Sequence, residues 1–405
     1  MRETIADSRV IQSKHRHPDR LPGWIAGAKL PLERGMNKAR RGISRLGELN
    51  AKLSANAQRS SAVLVGGVLG YLASAPALAP MRQALAAIGS RRESAPPAPA
   101  ALIPPVDRAR LGAEVAALRE LGRTPDGKQI RVGRLAAGSL LLREIGRLRE
   151  ASFRAVGEGT GRAFDVDAYD AWYEHIVLWD AEASAIAGAY RVCRGAEVLA
   201  RRGLPGLYTA SLFEFGPAAL ARIAEGMELG RSFVAPEYWN SRSLDYLWLG
   251  IGAYLRAHPE VRYLFGPVSI SAALPITARE HLVAYYGQHF GTPGLFDAGQ
   301  SGSRAVRPRH PFRFLAAMPC YRGSDAGQGY ARLKAELAAL EARVPVLYKQ
   351  YTELCEPGGA RFLAFGVDPD FANCVDGLIE VDLQRITPAK ARRYLATAAG
   401  SEVSA

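Results

Sequence analysis

An acid and a base sit three residues apart in an otherwise apolar stretch, Met227-Glu228-Leu229-Gly230-Arg231-Ser232-Phe233-Val234. The stretch reads as a β-strand, and a charge inside an apolar strand is costly unless it is paired or put to use. Residues three apart on a strand face opposite sides, so bringing Glu228 and Arg231 together requires a bulge. A bulge would also free a backbone N–H to bind a developing oxyanion. On this reading Glu228 is a general base and Arg231 a clamp for a carboxylate or phosphate. The competing reading is a structural ion pair. A turn over Ala235–Ser241 and a helix from about Ser243 to His258 follow. Ser241, Arg242 and Ser243 put small polar groups and one cation at that helix N-terminus, whose unpaired N–H groups suit a phosphate. An ordinary capped helix would use the same residues.

A second polar group, Asp167, Asp170 and Glu174, has the charge to hold an ammonium ion, although Asp167 is equally placed to cap the Tyr169–Tyr173 run. Asp368, Asp370, Asp376 and Asp382 lack the spacing of a calcium loop and are assigned to structure, with Val367-Asp-Pro-Asp370 as a turn. Cys193, Cys320, Cys355 and Cys374 show no paired spacing. Neither a disulfide framework nor a zinc ribbon is expected, and a reducing compartment is. The 7 histidines form no His-x-x-x-His pair, so no catalytic metal is expected. Neither Cys193 nor Ser211 has a histidine placed to activate it as a nucleophile.

These residues need elements to hold them. Strands are expected at Gln129–Leu135, His175–Asp180, Ala185–Cys193, Leu212–Phe215, Arg361–Val367 and Leu378–Leu383. Helices are expected at Arg108–Gly122, Ser139 to about Val156, Pro217–Gly226, Thr277–Tyr286 and Gly329–Val344. Strand Met227–Val234, the helix after it and strand Val261–Ser271 form a βαβ unit, which requires parallel strands. Strands, a crossover and more strands predict a mixed α/β sheet.

Ahead of this domain lies a different kind of chain. Residues 1–60 carry 13 Lys/Arg against 5 Asp/Glu and read as a mobile basic arm. Ser60–Met81 holds 22 residues without a charge, long enough to span a bilayer, but Gly66, Gly67, Gly70, Pro76 and Pro80 weaken it as a helix. It lies too far from the N-terminus for an ordinary secretory signal. Ser94–Pro105 is a proline-rich linker, so the expected division is an extension over 1–120 and a catalytic domain over 125–396. The 405 residues carry a formal net charge of +13. That balance favours an anionic partner such as a phospholipid surface, a nucleic acid or an acidic carrier protein.

Arg149-Glu-Ala-Ser-Phe153, Asp167-Ala-Tyr-Asp170, Gly188-Ala-Tyr-Arg191, Glu228-Leu-Gly-Arg231 and Phe265-Gly-Pro-Val-Ser-Ile-Ser271 form an ordered series. The series resembles the ornithine-acyl-ACP N-acyltransferase family, often labelled hemolysin-like, within the GNAT superfamily. It is also similar, more distantly, to the acyl-homoserine-lactone synthases. The resemblance covers about Gln129 to Tyr394. It implies a GNAT-like acyltransferase domain that moves a 3-hydroxyacyl group from acyl carrier protein to the α-amine of an amino acid, commonly ornithine. The product would be a lyso-aminolipid, completed by a separate O-acyltransferase.

The resemblance implies roles as well. Glu228 and Arg231 are the catalytic pair, and Arg149, Phe153, Asp167, Asp170 and Arg191 bind substrate. Ser241, Arg242 and Ser243 face the phosphopantetheine, although the usual Arg/Gln-x-x-Gly-x-Gly/Ala loop is missing from Trp239–Leu244. Tyr285 or Tyr286 is the guess for the acid that protonates the thiolate. No tightly bound cofactor is implied, since the thioester of acyl-ACP is a co-substrate, and no nucleic acid partner. A cytoplasmic enzyme at the inner membrane face follows. The competing functions are a signal synthase of the homoserine-lactone type, a lysophospholipid O-acyltransferase, which would need a histidine base that the motifs do not supply, and a non-enzymatic scaffold that binds membrane or nucleic acid through the basic arm.

Overall fold

Strand Glu174–Asp180 buries every residue between its ends, and Ala185–Arg194 does the same over eight consecutive positions. Such unbroken apolar runs mark strands covered on both faces. In the computed structural model, which describes residues 98–296 and 305–396, they are the centre of an eight-stranded sheet. The basic arm and the apolar segment Ser60–Met81 lie outside the described residues.

The strands in chain order are β1 (Arg119–Arg123), β2 (Gln129–Arg134), β3 (Glu174–Asp180), β4 (Ala185–Arg194), β5 (Phe213–Phe215), β6 (Gly226–Val234), β7 (Tyr263–Ile270), β8 (Val306–Pro308), β9 (Ala360–Asp368) and β10 (Cys374–Asp382). The main sheet has the order β1-β2-β3-β4-β6-β7-β10-β9, and β5 pairs with β8 apart from it. Only β6 and β7 run parallel; every other pairing in the sheet is antiparallel. The helix Ser243–Ala257 joins β6 to β7 and completes the expected βαβ unit. The fold is thus a mixed α/β sheet of the expected class.

Alternate residues of β3 feed two cores. Ile176 and Leu178 pack with Tyr246, Leu247 and Ile251 of the helix Ser243–Ala257. Val177 and Trp179 pack with Leu141, Leu142 and Ile145 of the helix Leu140–Arg154. That is the period of two expected for a strand between layers.

One expectation is corrected. The helix expected over Arg108–Gly122 ends at Ala116, and Arg119–Arg123 is the edge strand β1. The cause is the turn Thr124-Pro-Asp-Gly-Lys128, in which Gly127 adopts φ +84° and the Thr124 N–H donates to the Lys128 carbonyl at 2.9 Å. A Pro-Asp-Gly turn reverses the chain into β2, and the charges of Arg119, Glu120 and Arg123 suit an exposed edge. The strand expected at Leu212–Phe215 is present as β5, Phe213–Phe215, outside the main sheet. Among the described residues no helix is long and apolar enough to cross a membrane.

The contact between β6 and β7 depends on Gly266. A Cβ there would lie 2.0 Å from the Leu229 carbonyl oxygen, a backbone atom that cannot step aside. Gly230, by contrast, has nothing within 4 Å of a built Cβ. Gly266→Ala is therefore expected to cost about 1–3 kcal/mol in strain, while Gly230→Ala stays near neutral. Thermal melts of the two variants check this.

Candidate active site

The bulge required to bring Glu228 and Arg231 to one face is present. Gly230 sits opposite Arg191 and Phe233 opposite Ala189, so three steps on β6 match two on β4. Arg231 takes φ +48°, a left-handed conformation that a non-glycine residue adopts at a cost of about 1–3 kcal/mol. Gly188 on β4 makes room, because a Cβ there would meet the Phe233 carbonyl at 2.6 Å.

Beyond the bulge the two parallel strands part. Their pairing runs only from Gly226↔Tyr263 to Glu228↔Phe265. Past that point the Val234 carbonyl, lacking a strand partner on the β7 side, accepts from Ser152 Oγ at 3.2 Å and Trp239 Nε1 at 2.8 Å. The gap is a cavity of about 570 Å³, walled by Arg231–Val234 of β6 and Pro267–Ser269 of β7. Phe153, Tyr208, Glu158 and Asp376 also line it.

Behind the cavity wall lies a buried chain of charges. Asp170 Oδ1 meets Arg149 Nη1 at 2.8 Å, Arg191 Nη1 at 3.3 Å and His175 Nε2 at 3.0 Å. Arg191 Nη1 reaches Asp167 Oδ1 at 2.6 Å, and Arg231 Nε lies 3.1 Å from Asp165 Oδ2. Burial opposes ionisation of Asp170, but Arg149 and Arg191 overcome it and hold its carboxyl far below the usual range. Burial also pushes His175 down to about 4, which leaves it neutral at pH 7. Asp167 and Asp170 close a capping box on the turn Ala168–Ala171, tying that turn to the ionic chain.

Glu228 is enclosed. Its Oε2 accepts from Tyr173 Oη at 2.6 Å and its Oε1 from the Thr209 N–H at 2.7 Å. Burial pushes its carboxyl up from the ordinary value, against the pull of those two donors. The neighbouring Tyr208 donates its hydroxyl to Asp368 Oδ2 at 2.9 Å and accepts from Arg231 Nη1 at 3.2 Å. The Arg231 guanidinium lies 4.8 Å from the ring centres of both Tyr208 and Phe371.

Residues 148–249, which contain β3, β4, β6 and the bulge, match the Acetyltransferase (GNAT) domain family. The chain is 34% identical over 232 residues to a glycine N(alpha)-acyltransferase of Phocaeicola vulgatus, covering 53% of this chain and 68% of that protein. The chain belongs to the amino-acid Nα-acyltransferase family. It is also 29% identical over 318 residues to a glycine N(alpha)-acyltransferase of Bacteroides thetaiotaomicron, covering 73% of this chain and 90% of that one. An L-ornithine N(alpha)-acyltransferase of Rhizobium meliloti is 33% identical over 214 residues, covering 51% and 64%.

In this acyltransferase the residues expected at the site fall into three groups. Arg231 and Phe153 reach the cavity, Phe153 edge-on to Phe371 at 5.1 Å. Arg149, Asp167, Asp170 and Arg191 are brought together but pair with one another; Arg149 and Arg191 are 0% exposed. Spacing places them correctly as a set; Arg149, Asp170 and Arg191 are buried, and Asp167, half-buried, is tied to Arg191. Glu228 joins this second group: with both oxygens bound and 1% exposure it does not line the cavity.

The third group lies beside the cavity. Ser241 Oγ accepts from the Ser243 N–H at 3.1 Å, Ser243 is buried, and Arg242 turns outward to Asp245 at 3.2 Å. The flanking Trp239 and Leu244 reach the cavity instead. Tyr285 and Tyr286 are corrected as acid candidates, because they pack against Tyr321 at 5.5 Å and Tyr348 at 4.8 Å, away from the cavity.

Glu158 and Tyr208 escaped the reading of the sequence, and Asp376, assigned there to structure, lines the cavity with them. Asp376 carried the same signal as Glu228, a carboxylate inside the apolar strand Cys374–Asp382. Glu158 sits in a polar loop, where nothing local marks it. Burial pushes its carboxyl up to about 7, against one donor, Ser269 Oγ at 2.9 Å. Asp376 is pushed well up by burial, then by Asp368 and Glu158. Among the described residues no group of three or more His, Cys, Asp or Glu is arranged to hold a metal ion.

Proposed function

We propose that this acyltransferase moves a fatty acyl group, 3-hydroxylated in the family it resembles, from the phosphopantetheine of acyl carrier protein to the α-amine of ornithine. The observation that carries the reading is the parting of β6 and β7 beside Arg231. A thioester laid between them adds its amide groups to strand edges left without a partner. Its carbonyl then faces the backbone of the bulge, whose N–H groups serve the tetrahedral oxyanion. Arg231 takes the amino-acid carboxylate, with Tyr208 and Phe371 fixing its guanidinium.

Glu228 acts in this scheme through Tyr208: it holds the Thr209 N–H and so fixes the residue that orients Arg231. The net charge of +13 favours an acidic carrier protein over a small neutral donor. Two glycine acyltransferases among the relatives favour glycine. Four L-ornithine N(alpha)-acyltransferases among the relatives favour ornithine.

The rim supports work at a lipid surface on the cytoplasmic side of the inner membrane. Val156, Trp239 and Val346 line the cavity and are 51%, 42% and 65% exposed, three of the five large apolar side chains that stand out from the described surface. An apolar mouth of this kind would pass an acylated product to the bilayer, where a separate O-acyltransferase meets it.

The test is an end-point assay with the purified full chain, offering acyl-ACP or acyl-CoA with ornithine or glycine and reading products by mass spectrometry. N-acylornithine formed from acyl-ACP is expected. N-acylglycine alone moves the acceptor to glycine, turnover of acyl-CoA alone removes the carrier protein, and no acyl amino acid from any pairing overturns the reading.

A further inference from the structure

Two carboxyl groups on the cavity wall stand without a salt bridge among the described residues. Glu158 takes a single hydrogen bond, from Ser269, and neither it nor Asp376 has an ion-pair partner among the described residues. Other buried acids are partnered: Asp165, Asp170 and Glu380 lie against arginines, Glu228 accepts from Tyr173 and the Thr209 N–H, Glu280 from the Leu315 N–H, and Asp368 from Tyr208. Two acids enclosed together with one hydrogen bond and no salt bridge between them lack what burial normally demands.

Their position is held firmly. Ser269 lies opposite Asp376 in the β7–β10 register, and cross-strand partners share a face, so Glu158, bound to Ser269, meets Asp376 on one face of the strand pair. The loop that carries Glu158 is pinned at both ends. The Gly157 carbonyl accepts from Ser271 Oγ at 2.9 Å. Glu150 accepts from the Thr160 and Gly161 N–H groups at 3.1 and 2.8 Å. The titratable groups facing the pair are Asp368, Cys374 and Tyr348, with Arg231 acting on Asp376 and Glu341 and Arg343 on the same cavity wall. Helix residue Arg154 does not serve, because it is bound to Glu150 and to the Ala100 and Arg162 carbonyls.

We propose that Glu158 and Asp376 form the ammonium site of the acceptor and that Glu158 is the base that deprotonates the α-amine. The inference rests on the acyl-transfer reading above and replaces Glu228 as the base. The α-ammonium loses one proton to the Glu158 carboxylate, and its nitrogen lone pair forms the C–N bond at the thioester carbon. The C–S bond then breaks with its electron pair going to sulfur. The second nitrogen proton passes to that thiolate, leaving amide, free thiol and a protonated Glu158 that returns its proton to water. Asp376, across from Ser269, holds the amine in line for attack. The raised Glu158 carboxyl suits the role, since a base works best with its pKa near the working pH.

The experiment compares wild type, Glu158→Gln and Asp376→Asn in the full chain for turnover, pH profile and amino-acid binding by calorimetry. Wild-type kcat/KM should rise with pH to a plateau, with a midpoint near 7 where Glu158 ionises. Glu158→Gln should lower kcat by about 100-fold or more, lose that acidic limb and leave the KM for the acyl donor unchanged. Asp376→Asn should raise the acceptor KM with a smaller effect on kcat. A Glu158→Gln enzyme that melts like wild type and keeps both its kcat and its acidic limb would overturn the proposal while leaving acyl transfer intact. A wild type that neither binds nor acylates any amino acid would overturn both.

Discussion

Asp170→Asn is expected to destabilise the fold by about 3–5 kcal/mol, the usual penalty for removing one partner from a buried ion pair. Two guanidinium groups, Arg149 and Arg191, converge on the Asp170 carboxylate, and both are fully buried. Asparagine keeps the shape and withdraws the charge, so both cations lose their common anion. The pH dependence follows from the direction of the shift. The folded carboxyl lies far below its ordinary 3.8, so its contribution is complete above that value and is lost as pH falls below it. Urea unfolding at pH 7 and at pH 3 should show the gap between wild type and variant narrowing at the lower pH. A gap of the same size at both would place the cost in packing rather than charge.

Arg231→Met is expected to hit both stability and turnover, and the two can be separated. Asp165 is 0% exposed, and Arg231 is its ion partner at 3.1 Å. Removing the arginine strands a buried carboxylate, again at about 3–5 kcal/mol. The double variant Arg231→Met/Asp165→Asn relieves that penalty and should recover most of the melting temperature. It should not recover acyl transfer, because the cavity then lacks the guanidinium held between Tyr208 and Phe371 for the acceptor carboxylate. A loss of about 100-fold in kcat/KM, equal to ~2.7 kcal/mol, is expected for both variants. Recovery of activity together with stability in the double variant would reduce Arg231 to a structural residue.

What the sequence makes legible depends on whether the signal is local. The βαβ unit from Met227 to Ser271 is legible because apolar runs and a helix start follow one another directly. The bulge is legible because Glu228 and Arg231 cannot otherwise share a face, and the structure adds the device that permits it, φ +48° at Arg231 against Gly188. β1 is a local signal overlooked: Thr124-Pro-Asp-Gly-Lys128 marks a hairpin, and the helical look of Arg108–Gly122 hides it.

The candidate site divides on the same line. Arg149, Asp167, Asp170 and Arg191 stand out by type. Whether each is free or spent depends on partners 21 to 24 positions away, from Arg149 to Asp170 and from Asp167 to Arg191. Spacing along the chain carries no information about that. Glu158 and Asp376 come from a loop and a late strand, and only the pleat of β7 against β10 puts Ser269 between them.

The central claim is that the gap between β6 and β7 holds the acyl thioester beside Arg231. It is tested most directly by a crystal structure of the full chain with a non-hydrolysable acyl-pantetheine thioether and ornithine. The account predicts the pantetheine arm between the two strands, the acyl carbonyl oxygen within hydrogen-bond distance of a backbone N–H in Arg231–Val234, and the acceptor α-amine beside Glu158. Density for the analogue on another face of the sheet, with the gap closed, would contradict it.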